Sequence, residues 1–326
     1  MYKPPFEITN KMLTLSISIT EKVGKINSFN SLKRMPILRR NNKIKSIHSS
    51  LAIEANSLSL NQVKDVIEGK VVLGPLKEIQ EVKNAYNAYS NITNFDGYSE
   101  QDLLKAHFLL TNSVCDLPGK YRNHGEGVFD GSKVIFVAPP HDLVPSLMKD
   151  LFKWLKNDEE TPMLIKSCIF HYEFVFIHPF SDGNGRLARL WQNILLCKWK
   201  PVFEYIPIES FIQKYQQEYY NKIALCHSNG KSNDFIEFML TIIDSTLDDI
   251  LFNIQRECEN ISDQVNKLLS VLEDDIPYSA NEIMKRLNIK SKETLRNTYL
   301  NPAIENGLIR MTIIDKPNSK NQKYIK

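Results

Sequence analysis

The run TPMLIKSCIFHYEFVFI, residues 161–177, is apolar on nearly every side when wound as a helix, so it is stable only inside a protein that buries it all round. Thr161 and Pro162 are good openers for such a helix. Pro179 biases His178 away from helical geometry, which ends it there. Two glycines follow, Gly183 and Gly185, read as a loop. A second helix then carries Leu187, Leu190, Trp191, Ile194 and Leu195 on its apolar side. These spacings predict a helical protein with His178 at the mouth of a helix-loop-helix.

On this reading Arg186 and Arg189 fall in the first turn of the second helix. Cations there oppose the positive end of the helix dipole, at a cost of up to about 1 kcal/mol each, unless an anion joins them. Free N–H groups at a helix start, close approach at glycine and two guanidiniums together describe a polyphosphate site. Asp182, a hard oxygen ligand beside it, suits Mg²⁺ held jointly with phosphate oxygens. His178 could take a proton from a hydroxyl attacking phosphorus. Singly, a His-Pro pair is a helix end, GNG a turn and two arginines a solvated face. One geometry, phosphoryl or nucleotidyl transfer, uses them all.

The stretch HPFSDGNGRLAR, from His178 to Arg189, resembles the Fic family motif HPFx[D/E]GNGRxxR at every defined position. The resemblance implies that His178 is the general base for a Ser, Thr or Tyr hydroxyl of a target protein. It implies Asp182 as the Mg²⁺ ligand, Gly183, Asn184 and Gly185 as an anion hole, and Arg186 and Arg189 on the outer phosphates of ATP. Phe180 would anchor the loop in the core. The products would be an AMP-modified protein and pyrophosphate. Phosphorylating members of the family carry Lys where this chain has Gly185, which argues against that chemistry.

In KIKSIHSSLAIEANSLSL, residues 43–60, Ile44, Ile47, Leu51 and Leu58 keep a spacing of three and four residues, and Glu54 fills the missing place. Docking that stripe drives a carboxylate into a poorly solvated contact, for which an arginine is the natural partner. The alternative is a Glu54 at the stripe's edge that reaches water. Many Fic proteins carry an inhibitory helix with the pattern [S/T]xxxE[G/N], which Ser50 and Glu54 match. By that resemblance Glu54 pairs with Arg189 and keeps the γ-phosphate from settling. In some relatives the same glutamate positions water for removing AMP. Ala55 departs from the pattern, and Asn56 follows it.

Elsewhere, LTLSISITEKVGKINSF reads as a helix, and Lys33, Arg34, Arg39 and Arg40 as a solvated basic face. Three helical stretches span about residues 61–110, the third capped by Ser99, with His107 as core. Asp130-Gly131 between β-branched runs signals a hairpin, ended by Pro139-Pro140 before a helix from about Leu143. The resemblance makes this hairpin, residues 127–138, a flap that holds a target segment by strand addition, with Val134 and Ile135 against the nucleotide. Tyr121 and Arg122 read as braces. Relatives line the adenine pocket with a tyrosine and an asparagine; Tyr220 is the candidate here, with His227 in the asparagine's apparent place and Asn229 nearby. Tyr219 reads as core. A long helix from Asp234 to about residue 272 leads to a tail in which SANE is a capping box. Short helix, longer helix and a β wing follow, a winged helix-turn-helix pattern. From Ser279 onward, ten basic and four acidic residues give a local +6, which suits DNA or a protein partner.

The expected fold is mainly α, divided as an N-terminal helical region at 1–98 carrying the inhibitory helix (43–58), a Fic-type core at 99–258 and a winged helix at 261–326. The whole-chain charge of +3 argues for neither nucleic acid nor membrane. No signal pattern opens the sequence, no run reaches the about 18 apolar residues of a membrane span, and the five cysteines form no CxxC pair. A cytoplasmic protein is expected, with a homodimer open because relatives commonly pair. The leading expectation is a protein adenylyltransferase using ATP and Mg²⁺. A phosphodiesterase that removes AMP from proteins, and a DNA-binding regulator with an inert Fic core, remain alternatives.

Overall fold

The computed structural model describes residues 2–28, 35–130, 133–260, 262–313, 315–317 and 319–326, with side chains described outside 128–136 and 257–260. The chain is mainly helical and forms two compact units, residues 1–23 with 42–247, and residues 24–41 with 248–326. Among the described residues no helix is long and apolar enough to cross a membrane.

The helices in order are α1 (Asn10–Ser28), α2 (Pro36–Ile53), α3 (Leu60–Ile67), α4 (Leu76–Ser90) and α5 (Glu100–Thr111). Strands β1 (Gly127–Asp130) and β2 (Lys133–Val137) come next, then α6 (Val144–Asn157), α7 (Met163–Ile177), α8 (Asn184–Trp199), α9 (Ile208–Lys214), α10 (Gln216–Asn229) and α11 (Asn233–Asn260). Met12, Ile19 and Val23 give α1 the buried stripe that overrides its many Ser and Thr residues. Ser99 caps α5 by accepting the Asp102 N–H, as its position suggests. β1 and β2 pair antiparallel from Gly127↔Val137 to Asp130↔Lys133, the expected hairpin; its tip, Gly131 and Ser132, lies outside the described residues.

α7 is the centre of the larger unit. Leu164 to Phe174 and Ile177 are all buried, as a helix without a polar face requires. α8 packs along it, and Phe152, Phe170 and Trp191 meet in a cluster in which Phe152 lies edge-on to Trp191 at 6.2 Å. Rings set at such angles fix the two helices at one separation, which holds the loop between them at a fixed width.

The smaller unit holds α12 (Asp263–Val271), β3 (Tyr278–Ser279), α13 (Ala280–Leu287), α14 (Lys292–Thr294), a π turn over Leu295–Leu300, α15 (Asn301–Glu305), β4 (Arg310–Met311) and β5 (Lys323–Ile325). The strands run β3-β5-β4, both pairs antiparallel. Leu268, Ile283, Leu287, Leu295, Leu300, Ala303 and Tyr324 form their core. Ser279 and Glu282 make the expected capping box of α13, and Gly307, at φ 67°, ends the helical run.

Four boundaries differ from the sequence reading. α2 starts at Pro36 and ends at Ile53 rather than spanning 43–58, so Glu54 lies just past the helix and Leu58 is buried from the following loop. Gly185 sits inside the first turn of α8, not in a loop. Arg189 falls one turn beyond Arg186. The long helix from Asp234 is two, because Ser262 starts a new one by accepting the Val265 N–H. Lys33 and Arg34 lie outside the described residues.

Candidate active site

His178 is the last residue of the α7 turn. Its N–H donates to the Phe174 carbonyl at 3.0 Å, and its backbone is left-handed, φ 50° and ψ 58°. Such a conformation costs a non-glycine residue of order 1–3 kcal/mol and persists only where neighbours impose it. Arg122 imposes it here: Nε donates to the His178 carbonyl at 2.7 Å, Nη2 to those of Pro139 and Ile177, and Nη1 to that of His124. One buried guanidinium thus ties the loop to the root of the hairpin. The His178 ring is partly exposed with Nδ1 shielded from solvent. Burial lowers its pKa, opposed by the Val175 carbonyl, which favours the protonated ring, and by the carboxylates of Glu126 and Glu54.

The loop is braced from within. Phe180 is fully buried and stacks on His107 at 3.6 Å between ring centroids. His107 Nδ1 accepts the Gly119 N–H at 2.8 Å, so the ring is the Nε2–H tautomer and donates to the Asp182 carbonyl at 2.9 Å. Burial brings its pKa down to about 4, which keeps it neutral. The Asn184 side chain binds both backbone groups of Phe180, accepting at 3.0 Å and donating at 2.6 Å. The Asn184 side chain is thus committed to the loop, and its backbone N–H is the group it keeps free of the loop's own bonds at the helix start. Gly183, at φ 81°, has no room for a Cβ against Thr111.

At the N-terminus of α8 the first intrahelical bond is Leu187 N–H to the Gly183 carbonyl, so the N–H groups before it have no intrahelical acceptor. The Gly183 N–H donates to Asp182 Oδ1 at 2.6 Å. Arg186 donates to the same oxygen through Nη2 at 2.7 Å and to Glu81 Oε1 through Nη1 at 3.0 Å. Asp182 is 41% exposed, with both of these bonds on Oδ1. A carboxylate with a second oxygen facing outward fits a magnesium ion that keeps most of its waters and shares phosphate oxygens.

Arg189 is already occupied by an anion. Nη2 donates to Glu54 Oε1 at 2.8 Å and to the Ser50 carbonyl at 2.9 Å, and Nε to Ser50 Oγ at 3.2 Å. Arg189 is 1% exposed and Glu54 35%, so the sequence alternatives meet: the carboxylate pairs with a buried arginine and also reaches water. A Cβ on Gly185 would collide with Glu54 Oε1. α2 ends in a Schellman turn, with Ala55 N–H to the Ala52 carbonyl at 3.0 Å and Asn56 N–H to the Leu51 carbonyl at 3.2 Å. Ala55 takes the left-handed position of that turn, φ 65°, where glycine or asparagine is at ease.

Of the remaining candidates, Tyr220 is 41% exposed and donates to the Ile53 carbonyl at 3.2 Å, beside Gln216, which donates to the same oxygen at 3.0 Å. His227 packs on Tyr172 and Phe176, while Asn229 is exposed. Tyr219 is buried and bonded to His171. Tyr121 braces the hairpin root by donating to Glu100 at 2.7 Å. The side chains of Val134 and Ile135 lie outside the described ones. Sequence reasoning missed Glu81, Gln216 and Glu209. Glu209, 1% exposed, accepts bonds from Tyr89 and from Ser46 of α2 at 2.8 Å. Spacing within one helix carries no sign of which distant carboxylate meets it.

Fold and loop together define a helical protein in which two buried arginines at the first turns of a helix meet carboxylates, one of them from the turn that ends α2. Residues 97–196 match the model of the Fic/DOC family, and residues 263–325 that of the Filamentation induced by cAMP protein Fic-like, C-terminal domain. The chain is similar to a crystal structure of a Fic family protein from Desulfovibrio desulfuricans G20, at 42% identity and a TM-score of 0.76, covering 99% of this chain and 98% of that one. It belongs to the Fic family. It is also 26% identical over 284 residues to Protein adenylyltransferase fic-1 of Caenorhabditis elegans, covering 82% of this chain and 52% of the relative. With Protein adenylyltransferase Fic of Culex quinquefasciatus it shares 29% identity over 217 residues, 63% of this chain and 41% of the relative. The chain spans about half the length of the curated relatives it matches.

Proposed function

We propose that this protein is a protein adenylyltransferase that transfers AMP from ATP to a Ser, Thr or Tyr hydroxyl of a target protein and is held inactive by Glu54. The observation that carries the reading is the Glu54–Arg189 pair: a buried guanidinium in the second turn of α8 binds a carboxylate, as it would bind a phosphate. Arg186 and Arg189 take the outer phosphates, and the N–H groups of Gly183, Asn184 and Gly185 the inner ones. His178, its pKa lowered by burial, accepts the hydroxyl proton as the oxygen attacks the α-phosphorus, and the α–β phosphoanhydride bond breaks to release pyrophosphate. Asp182 would hold Mg²⁺, which when bound offsets phosphate charge. The hairpin presents the target backbone as an added strand, which fits its short antiparallel ladder. Tyr220 lies against the base, a reading supported by its half-exposed ring and its bond to Ile53 at the end of α2.

The test compares wild type, Glu54→Gly and Glu54→Gly/His178→Ala with labelled ATP and Mg²⁺. Label transferred by the second protein far above the first, and abolished in the third, is expected. Equal labelling of the first two sinks auto-inhibition, and label retained in the third sinks the role of His178.

A hydrolytic reading draws on one observation. The hydrogen bond between Glu54 and Arg189 is on Oε1, and the Glu54 side chain is a third exposed, which leaves a carboxylate oxygen for a water. Removal of AMP from a modified protein by wild type, lost in Glu54→Gln, is its signature. For the C-terminal unit the proposal is a winged helix, residues 261–326, behind an N-terminal region (1–98) and core (99–258). Its local +6 suits DNA or an acidic protein face. A cytoplasmic, homodimeric protein is the state proposed for the cell.

A further inference from the structure

Arg186 has a partner that neither the loop motif nor the inhibitory pattern contains. Its side chain is 5% exposed, and a guanidinium so buried needs compensating charge. Two carboxylates supply it, Asp182 Oδ1 through Nη2 and Glu81 Oε1 through Nη1. They are not equivalent. Asp182 Oδ1 also accepts the Gly183 N–H, and the same carboxylate is the candidate ligand of a divalent ion. A cation arriving there competes with the guanidinium, since both are positive and share one acceptor group.

Glu81 stands outside that competition. It comes from α4, its side chain is 12% exposed, and its second oxygen, Oε2, accepts Asn56 Nδ2 at 2.9 Å. Asn56 is itself fixed by the Schellman turn that ends α2. Glu81 is thus held on both sides, by Asn56 and by Arg186.

We infer that Glu81 is a positioning residue for Arg186: it keeps the guanidinium facing the anion site and frees Asp182 for the metal ion. The inference rests on the proposed reading of Arg186 as a phosphate ligand and of Asp182 as the magnesium ligand. With the Glu81 charge removed, Arg186 has only the Asp182 carboxylate to lean on through Oδ1, and an ion at the other oxygen of that carboxylate meets a guanidinium no longer offset by a second anion.

The experiment places Glu81→Gln in the Glu54→Gly protein and titrates ATP calorimetrically at graded Mg²⁺, with thermal midpoints recorded alongside. Arg186 is the outer partner of Asp182, and upsetting such a partner typically costs about tenfold or more in metal affinity, so the Mg²⁺ needed for half-maximal nucleotide binding should rise by up to about tenfold. ATP affinity at saturating Mg²⁺ should stay within about threefold, because both arginines remain. Should Glu81→Gln fold poorly, Asn56→Ala unties the carboxylate without changing its charge, and a smaller rise in the same direction is expected. An unchanged magnesium requirement in a folded variant overturns the inference, as does a loss of affinity equal at every Mg²⁺ concentration, which marks a merely structural part. Failure of the Glu54→Gly parent itself to bind ATP refutes the phosphate-site reading, and the inference falls with it.

Discussion

Ala55 occupies a position built for glycine, and Ala55→Gly should tighten the inhibited state. At φ 65° an alanine Cβ crowds the backbone, a cost of roughly 1–2 kcal/mol that glycine does not carry. Glycine gives back about 0.4–1 kcal/mol through the greater freedom of the unfolded chain. The net gain is about 1 kcal/mol. Glu54, Ala55 and Asn56 share one turn, so this energy bears on the equilibrium between the docked Glu54 segment and a displaced one. About 1 kcal/mol is a factor of about five in that equilibrium. Labelling by wild type with ATP and Mg²⁺ should fall about fivefold in Ala55→Gly, while the thermal midpoint rises by about 2–4 °C. Because displacement gains a little chain entropy from glycine too, Ala55→Asn, which tolerates the left-handed region and keeps a side chain, should shift labelling the same way. Unchanged or faster labelling in a stabilised Ala55→Gly protein would refute the link between turn strain and leak.

Two predictions concern protons. Burial holds the His178 pKa below its usual 6.5, so the ring is neutral at pH 7 and the rate of the Glu54→Gly enzyme should be flat above neutrality, falling only below pH 6.5. Glu126→Gln removes a charge that raises that pKa, so the acid limb should move lower still; a limb above pH 6.5 contradicts the assignment. Glu173 is 4% exposed, accepts the Tyr2 hydroxyl at 2.6 Å, and burial pushes its carboxyl from 4.5 up to about 7. The folded state therefore keeps a proton that the unfolded chain releases. Its stabilisation is complete below pH 4.5 and declines up to pH 7, by roughly 3 kcal/mol at most. Denaturant midpoints of wild type should fall between pH 5 and 7.5, and Glu173→Gln, which mimics the protonated form, should flatten that slope.

Patterns confined to one segment were the legible ones. The helix without a polar face, the proline after His178, the cap at Ser99 and the capping box at Ser279 each name their structure through near neighbours. The hairpin signal at Asp130 belongs with them. Ends set by rivalry between local choices were harder. Periodicity carried Glu54 into a helix stripe, whereas the turn at Ala55 ends α2 one residue earlier and aims the carboxylate at Arg189 by leaving the helix. Likewise Ser262 outcompetes continuation of α11. Least legible were meetings between distant helices. Glu81 with Arg186, Gln216 with Ile53 and Ser46 with Glu209 join residues whose own segments give no hint of the other.

His107 lies stacked under the loop, with one ring nitrogen accepting a hydrogen bond from the Gly119 N–H and the other donating one to the Asp182 carbonyl. Such a ring cannot change its charge without tearing a bond on one side. The cradle beneath the glycine turn therefore keeps its charge well below neutrality, and acidification reaches the chemistry through the half-buried His178 imidazole.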